Sequence, residues 1–166
     1  MNFIVAVSEN YGIGKDNNLL FNLPSDLKYF KEKTLNKVVV MGRRTFDSLP
    51  FKPLKNRVNI VITTDLDFYC KGVIVVHSFE ELFKKLEQYN DDDIFVIGGS
   101  SIYNKLMERC RRAYITKVHK KVEADTYINN VEKLENWQEV QTSGVMHEND
   151  LDFEFKIFEN KNQKEL

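Results

Sequence analysis

The sequence contains only two cysteines, Cys70 and Cys110, which lie forty residues apart and outside any Cys-x-x-Cys spacing. Disulfide frameworks and cysteine-based metal sites need more cysteines or closer pairs, so both are expected to be free thiols in a reducing compartment. The three histidines also lack ligand-like spacing. The sequence therefore predicts neither a disulfide-stabilised protein nor a metal site.

The sequence also lacks an excess of either charge, because 24 basic residues stand against 25 acidic ones, for a formal net charge of −1. Nucleic-acid binding depends on massed basic side chains, so a large polyanion is excluded as a partner. No basic leader and no long apolar run precede the strand-like segment Phe3–Val7. We therefore expect no secretory leader, no membrane span, a cytoplasmic location and a monomer.

Strand-like and helix-like segments alternate along most of the chain. Apolar, largely β-branched runs predict strands at Phe3–Val7, Val38–Met41, Val58–Ile62, Val73–Val76, Ile94–Ile97 and Tyr114–Val118. Helical patterns lie between them at Asp26–Lys33, Arg43–Leu49, Phe79–Tyr89 and Ser101–Glu108. The alternation predicts a single α/β domain with a central, mostly parallel twisted sheet of about eight strands and flanking helices.

The end of the chain has a different pattern. The strand-like runs Trp137–Gln141 and Phe153–Phe158 have no helix between them, which predicts a C-terminal antiparallel hairpin at the sheet edge. The expected domain covers residues 1–159, and residues 160–166 are expected to be a frayed polar tail.

A glycine-containing segment, Glu9–Leu23, follows the first predicted strand. In an open α/β sheet, ligands bind beyond the carboxyl ends of the strands. This segment shows no regular pattern and is long enough to be a mobile cover over a site. Its glycines Gly12 and Gly14 fit neither the Rossmann nor the Walker A spacing, so an ordinary turn remains an alternative.

Asp26 lies in the first turn of a helix that Pro24 can begin. A carboxylate there stabilises the helix dipole, which is the simplest role for this residue. Asp26 also shares a helix face with Tyr29 and Phe30, the face that an amphipathic helix turns inward. A desolvated carboxyl group on that face has a raised pKa and can pair with a cationic or amidine-like group.

Two further strand ends carry residues suited to phosphate. Gly42–Thr45 contains two arginines at a strand-to-helix junction, and Ile97–Ser101 contains two consecutive glycines followed by two hydroxyls. Free backbone N–H groups, guanidinium forks and close backbone approach all favour an anionic ligand. A solvated arginine pair and a tight turn are the alternatives. No nucleophile elbow accompanies them, so hydride transfer with a bound cofactor is the leading reaction class.

Together these motifs resemble dihydrofolate reductase. The resemblance covers almost the whole chain in order and spacing, and it is carried by Gly14, Asn22–Leu27 with Phe30, Val40–Arg43 with Thr45, Arg57 with Asn59, Ile97–Gly99 and Ala124–Thr126. It implies NADPH-dependent reduction of 7,8-dihydrofolate to 5,6,7,8-tetrahydrofolate, with a hydride passing from nicotinamide C4 to pterin C6 and a proton reaching N5. It also implies a place in one-carbon metabolism and thymidylate supply, with antifolate inhibitors among the small molecules that bind the family.

The resemblance assigns roles to individual residues. Asp26 would bind the pterin 2-amino group and N3 with Thr116 on its carboxylate, and Arg57 would hold the glutamate α-carboxylate. Catalytic roles fall to Asp26, Phe21 and Leu19. Substrate contacts fall to Ile4, Val5, Asp26, Leu27, Phe30, Leu49, Leu54, Arg57, Ile97 and Thr116. Cofactor contacts fall to Ala6, Ile13, Gly14, Gly42, Arg43, Arg44, Thr45, Thr63, Thr64, His77, Gly98, Gly99, Ser100, Ser101, Ile102 and Tyr103. No metal is implied.

Three positions depart from the family pattern. Leu20-Phe21 stands where the family usually has Pro-Trp, so the ring offers no N–H donor and we expect a slower protonation-linked step. The turn at Pro50–Pro53 carries one extra residue, and Ala124 replaces a common glycine.

Two other functions remain open from the sequence. A reductase of a related pyrimidine or pterin intermediate would keep the cofactor turns, although Asp26 with Arg57 speaks against it. A nucleotide-binding module without turnover would keep the same turns and lose the chemistry.

Overall fold

The computed structural model describes all residues, Met1–Leu166. The strands are β1 (Asn2–Val7), β2 (Gly12–Lys15), β3 (Asn18–Leu19), β4 (Val38–Gly42), β5 (Val58–Ile62), β6 (Val73–Val76), β7 (Ile94–Gly98), β8 (Arg112–Val118), β9 (Thr126–Tyr127), β10 (Trp137–Thr142), β11 (Met146–Glu148) and β12 (Leu151–Asn160). The α-helices are α1 (Pro24–Thr34), α2 (Arg43–Ser48), α3 (Phe79–Leu86) and α4 (Ser100–Leu106). None of these helices combines the length and the apolar character that crossing a bilayer requires.

The central sheet has the predicted architecture. Its strands follow the order β10-β12-β8-β1-β7-β4-β5-β6, and β11 pairs with β12 outside this path. The six strands from β8 to β6 in that order are parallel. The strand β12 runs antiparallel to β8, β10 and β11. The prediction of a single α/β domain with a mostly parallel sheet and a C-terminal antiparallel hairpin is confirmed.

Both faces of the sheet are covered, which explains why the strands are apolar at consecutive positions. Val38 and Val40 of β4 belong to a buried cluster of 22 residues on one face. Val39 and Met41 belong to a separate buried cluster of 7 residues on the other face. Because successive side chains of a strand point to opposite faces, a strand covered on both sides needs an unbroken apolar run.

The segment Glu9–Leu23 differs from the prediction that it has no regular structure. It contains the antiparallel pair β2 and β3, and β2 also pairs with β9. The strands of this small sheet approach closely, since a Cβ on Gly14 would lie 2.8 Å from Thr126 Oγ1 on β9. Asp125 adds a further tie, because its Oδ2 accepts a 2.8 Å hydrogen bond from the backbone N–H of Asp16.

The helix boundaries follow local chemistry. Pro24 occupies the start of α1, as the sequence predicts. Ser78 caps α3 by accepting a 3.1 Å hydrogen bond from the Glu81 N–H, and this helix ends at Leu86. At the other end of the chain, β12 extends through the buried residue Asn160. Beyond the strand, the Lys164 N–H donates a 2.9 Å hydrogen bond to the Glu108 carbonyl.

Candidate active site

The carboxyl ends of four neighbouring strands define one edge of the sheet. Ala6 of β1 lies opposite Thr116 of β8, and Met41 of β4 lies opposite Gly98 of β7. Val5 and Ala6 are only half-buried, whereas the other residues of β1 are buried. The strand ends that the sequence singled out are therefore adjacent in space, at the position where open α/β sheets bind ligands.

Asp26 sits at this edge in the first turn of α1. The hydroxyl of Thr116 donates a 2.5 Å hydrogen bond to Asp26 Oδ1. Burial raises the pKa of the Asp26 carboxyl group, the Thr116 hydrogen bond opposes that rise, and the negative charge of Glu148 adds to it. No other side-chain hydrogen bond reaches this carboxyl group, so Oδ2 can accept a donor from a ligand.

Three apolar side chains, from α1, from the end of α2 and from the turn before β5, pack against one buried cluster of the sheet. Phe30, Leu49 and Leu54 pack against the 7-residue cluster that contains Ile4 and Ile97. All three are half-buried, so each keeps a face that a ligand can contact. The structure thus brings together most of the residues that the sequence assigns to substrate.

Three of the assigned residues lie nearer to solvent. Leu27 on α1 is 57% exposed and Leu19 on β3 is 77% exposed. Phe21 follows β3 and packs, half-buried, against a small cluster formed by Leu23 and Phe153 with one valine.

Arg57 presents a guanidinium group without an acidic partner. Its Nη1 donates a 3.0 Å hydrogen bond to Thr34 Oγ1, and its Nε donates one of 3.0 Å to the Lys55 carbonyl. Burial lowers its pKa from the usual value. A partly desolvated guanidinium without a carboxylate is suited to an anionic ligand, because the bidentate geometry matches a carboxylate group.

The turn before Arg57, in which the resemblance implies one extra residue, is fixed by hydrogen bonds. Asn59 Oδ1 accepts a 2.9 Å hydrogen bond from the Leu54 N–H, and Asn59 Nδ2 donates one of 2.9 Å to the Leu54 carbonyl. The buried Asn59 side chain therefore holds the backbone of Leu54 on both sides. The residues of the turn around Phe51 are exposed.

Two helices begin at the same edge without side-chain caps. Gly42 precedes α2 and Gly99 precedes α4, and neither helix has a side-chain cap hydrogen bond. Gly98 has a φ of +126°, and a Cβ there would lie 3.2 Å from the Tyr103 ring and 3.4 Å from Thr45 Oγ1. The backbone therefore comes close to its neighbours and leaves N–H donors at both helix starts, which fits the phosphates of a dinucleotide.

The two arginines at the start of α2 differ in their surroundings. Arg43 Nε lies 3.0 Å from Asp47 Oδ2 and its Nη1 lies 3.3 Å from Asp65 Oδ2. Its guanidinium group also stands 3.9 Å from the centroid of the Phe68 ring. Arg44 is exposed and takes part in none of the ion pairs of the structure. Arg44 is therefore the arginine whose charge remains available to a phosphate.

The other residues assigned to the cofactor lie along the same edge. His77 Nδ1 lies 2.8 Å from the Thr63 carbonyl oxygen, and Thr64 beside it is exposed. Tyr103 is buried, and its hydroxyl donates a 2.7 Å hydrogen bond to the Ile4 carbonyl. The remaining assigned residues are half-buried or exposed, on β2 (Ile13, Gly14) and in the first turn of α4 (Ser100, Ser101, Ile102).

Sequence reasoning missed two contacts around the site. Glu148 on β11 accepts hydrogen bonds from Ser25 at the start of α1. Lys117, next to Thr116 on β8, is buried and forms a 2.6 Å ion pair with Glu132, which also accepts a hydrogen bond from Tyr11. No local sequence signal identifies such partners, because Ser25 and Glu148 lie 123 residues apart.

The chain is similar to known proteins over nearly its whole length. A family model described as dihydrofolate reductase matches residues 1–160. A dihydrofolate reductase of Bacillus subtilis is 38% identical over 164 residues, covering 98% of this chain and 95% of the relative. One of Drosophila melanogaster is 38% identical, covering 95% of this chain and 96% of the relative.

A solved structure has the same fold. The dihydrofolate reductase from Enterococcus faecalis, complexed with NADP(H) and RAB-propyl, superposes with a TM-score of 0.85 at 33% sequence identity. The match covers 96% of this chain and 95% of that one. The chain belongs to the dihydrofolate reductase family.

Proposed function

We propose that this protein reduces 7,8-dihydrofolate to 5,6,7,8-tetrahydrofolate with NADPH. The half-buried Asp26, which accepts a hydrogen bond from Thr116 on the strand edge where half-buried apolar side chains such as Phe30 also lie, carries this proposal. Membership of the dihydrofolate reductase family supports it. When bound, NADPH supplies a hydride from nicotinamide C4 to pterin C6.

Asp26 orients the substrate. An ionised carboxylate can accept two parallel hydrogen bonds, and Oδ1 and Oδ2 of Asp26 would receive those of the pterin 2-amino group and N3. Its raised pKa also makes it a better reservoir for the proton that the reaction consumes, although that proton would reach N5 through water. Thr116 acts through Asp26 and is a positioning residue.

Arg57 and the apolar walls account for the rest of the substrate. Phe30, Leu49 and Leu54 would flank the pterin and benzoyl rings, with Leu27 closing the cleft. Arg57 would bind the α-carboxylate of the glutamate. An intermediate carrying a ribose phosphate would need more cationic or hydroxyl-bearing walls, so the related pyrimidine or pterin reductase is the weaker candidate.

The cofactor would lie across the ends of β1, β4 and β7. The uncapped starts of α2 and α4 would hold its phosphates, with Ser100 and Ser101 adding hydroxyl donors. Ala6, Ile13 and Tyr103 would line the nicotinamide subsite. A 2′-phosphate would meet the unpaired charge of Arg44, which favours NADPH over NADH.

The residues around the cofactor's other end form a smaller proposed subsite. Arg43 and Thr64 would flank the 2′-phosphate with Arg44, and His77 would lie near the adenine.

We also propose that the protein acts as a monomer in a reducing, cytoplasmic setting. The free thiols of Cys70 and Cys110 support the reducing setting.

A direct assay tests the activity. Purified protein is mixed with NADPH and dihydrofolate, and the loss of NADPH absorbance is followed between about pH 5 and pH 8. We expect turnover with NADPH and much slower turnover with NADH. If NADPH absorbance does not fall at any pH, the proposed activity is overturned. Binding of NADPH without turnover would then identify a nucleotide-binding module.

A further inference from the structure

The start of α1 lacks a cap of its own. Leu23 occupies the N-cap position and offers no side-chain hydrogen bond, and Pro24 has no backbone N–H. The Asp26 N–H donates to the Leu23 carbonyl at 2.9 Å. Ser25, directly before Asp26, is left with an N–H group that needs a partner from elsewhere in the chain.

Glu148 supplies that partner from the β11–β12 hairpin. Its Oε1 accepts a 3.0 Å hydrogen bond from the Ser25 N–H, and its Oε2 accepts one of 2.5 Å from Ser25 Oγ. Next to it, Asn149 Nδ2 donates a 3.0 Å hydrogen bond to the Asn22 carbonyl. The hairpin thus holds the chain on both sides of Leu23, immediately before Asp26.

The same hairpin also leads to the other support of Asp26. Glu148 pairs with Leu151 at the start of β12, and further along this strand Phe155 lies opposite Thr116 of β8. Thr116 then binds Asp26 directly. Two strands that pair with β12 therefore hold Asp26. Through Glu148, β11 binds the backbone at the start of its helix, and through Thr116, β8 binds its carboxyl oxygen.

The negative charge of Glu148 acts on Asp26 of α1. On the hairpin, His147 Nδ1 lies 2.8 Å from Asp152 Oδ1. Hydrogen bonds from the Ser25 hydroxyl and N–H lower the pKa of Glu148, so its carboxylate is ionised at neutral pH. Its negative charge therefore faces Asp26 without a basic partner in the ion pairs of the structure.

We infer that Glu148 is a positioning residue for dihydrofolate reduction: by binding Ser25 from another strand, its carboxylate fixes the first turn of α1 and with it the orientation of Asp26. This inference rests on the proposed function. It assigns to an acidic side chain on the hairpin a role in turnover that acts through the helix and not through contact with substrate or cofactor.

Three variants separate geometry from charge. Glu148→Ala removes the contact and the charge, and we expect kcat to fall about tenfold while the Kd for NADPH stays unchanged. Glu148→Gln keeps a hydrogen-bond acceptor, so most of kcat returns. Because its neutral side chain no longer raises the pKa of Asp26, the midpoint of the pH dependence of kcat moves to lower pH. Asp152→Asn removes one charge from the same hairpin without touching α1 and serves as the matched control.

Two results would overturn the inference: a wild-type kcat in Glu148→Ala, or an equal midpoint shift in Asp152→Asn. If Glu148→Ala does not fold, Ser25→Ala decides, because it loses the hydroxyl contact and keeps the charge, and should lower kcat without moving the midpoint. The wild-type protein is assayed first. If it does not reduce dihydrofolate, the proposed function itself fails. If the wild type is active and the Glu148 variants have its kcat, only the role of Glu148 is rejected.

Discussion

The hydroxyl of Thr116 and the carboxyl group of Asp26, 90 residues apart in the sequence, meet at 2.5 Å at the edge of the sheet. Thr116 is buried within β8, so its position is set by the strand and not by the ligand. The helix that carries Asp26 begins at Pro24, two residues before it. The reacting end of the cleft is therefore formed by one rigid strand and one helix start, which suits precise orientation of a flat heterocycle.

Asp26 is expected to lower stability at neutral pH. Burial raises its folded pKa above the ordinary value of 3.8. The folded state then binds the proton more tightly than the unfolded state, so stability is lost as the pH rises from about 4 through the raised folded pKa. Asp26→Asn removes this penalty and should raise the free energy of unfolding at pH 7. Urea unfolding should show the gain at pH 7 and little difference near pH 4; a less stable variant at pH 7 would contradict the assignment.

Arg44 is expected to discriminate between the two nicotinamide cofactors. Its guanidinium group has no ion pair, whereas Arg43 already faces Asp47 and Asp65. Arg44→Gln should raise the Kd for NADPH about tenfold and leave the Kd for NADH unchanged, because only NADPH carries the 2′-phosphate. Fluorescence titration with both cofactors measures this. Equal weakening of both would place Arg44 outside the 2′-phosphate subsite.

Phe21 is expected to limit delivery of the proton. Its ring packs half-buried beside Leu23 and Phe153 and has no donor to hold a water molecule. Phe21→Trp adds an N–H group and should raise turnover above neutral pH about fivefold, which corresponds to about 1 kcal/mol. Phe21→Leu keeps an apolar side chain without a donor and should give no gain. Turnover and a pH–rate profile that match the wild type in Phe21→Trp would reject the idea.

The Lys117–Glu132 pair is expected to stabilise the base of the β2–β3 hairpin. Lys117 is buried, forms a 2.6 Å ion pair with Glu132 and stands 4.6 Å from the centroid of the Tyr11 ring. Glu132→Leu leaves a buried ammonium group without its partner and should cost about 2 kcal/mol, less than a fully buried pair because Glu132 is partly exposed. Adding Lys117→Met should recover much of the loss in urea unfolding. A single variant as stable as the wild type would show that the pair contributes nothing.

The sequence predicted the large elements because their signals are local. The run Val38–Met41 is apolar at every position, and β4 covers those residues and Gly42. Pro24 marked the start of α1, and Ser78 marked the start of α3. In each case the residues that form the element also identify it.

The parts that escaped prediction depend on partners far along the chain. The β2–β3 hairpin is stabilised by backbone pairing with β9 and by Asp125, 109 residues from Asp16. Nothing in the glycine-containing segment itself specifies that strand. The contact between Glu148 and Ser25 is equally distant in sequence. Neighbouring charges such as Arg43 and Arg44 were also indistinguishable until the structure placed Asp47 and Asp65 beside only one of them.

Turnover of Asp26→Asn measured beside its affinity for NADPH is the most direct test of the central claim. Near neutral pH we expect the variant to reduce dihydrofolate at least about a hundredfold more slowly, because it loses both the anion that orients the pterin and the titrating group that aids protonation through water. We also expect a Kd for NADPH within about twofold of the wild-type value. Wild-type turnover, or an equal loss of NADPH affinity, would contradict the role of Asp26.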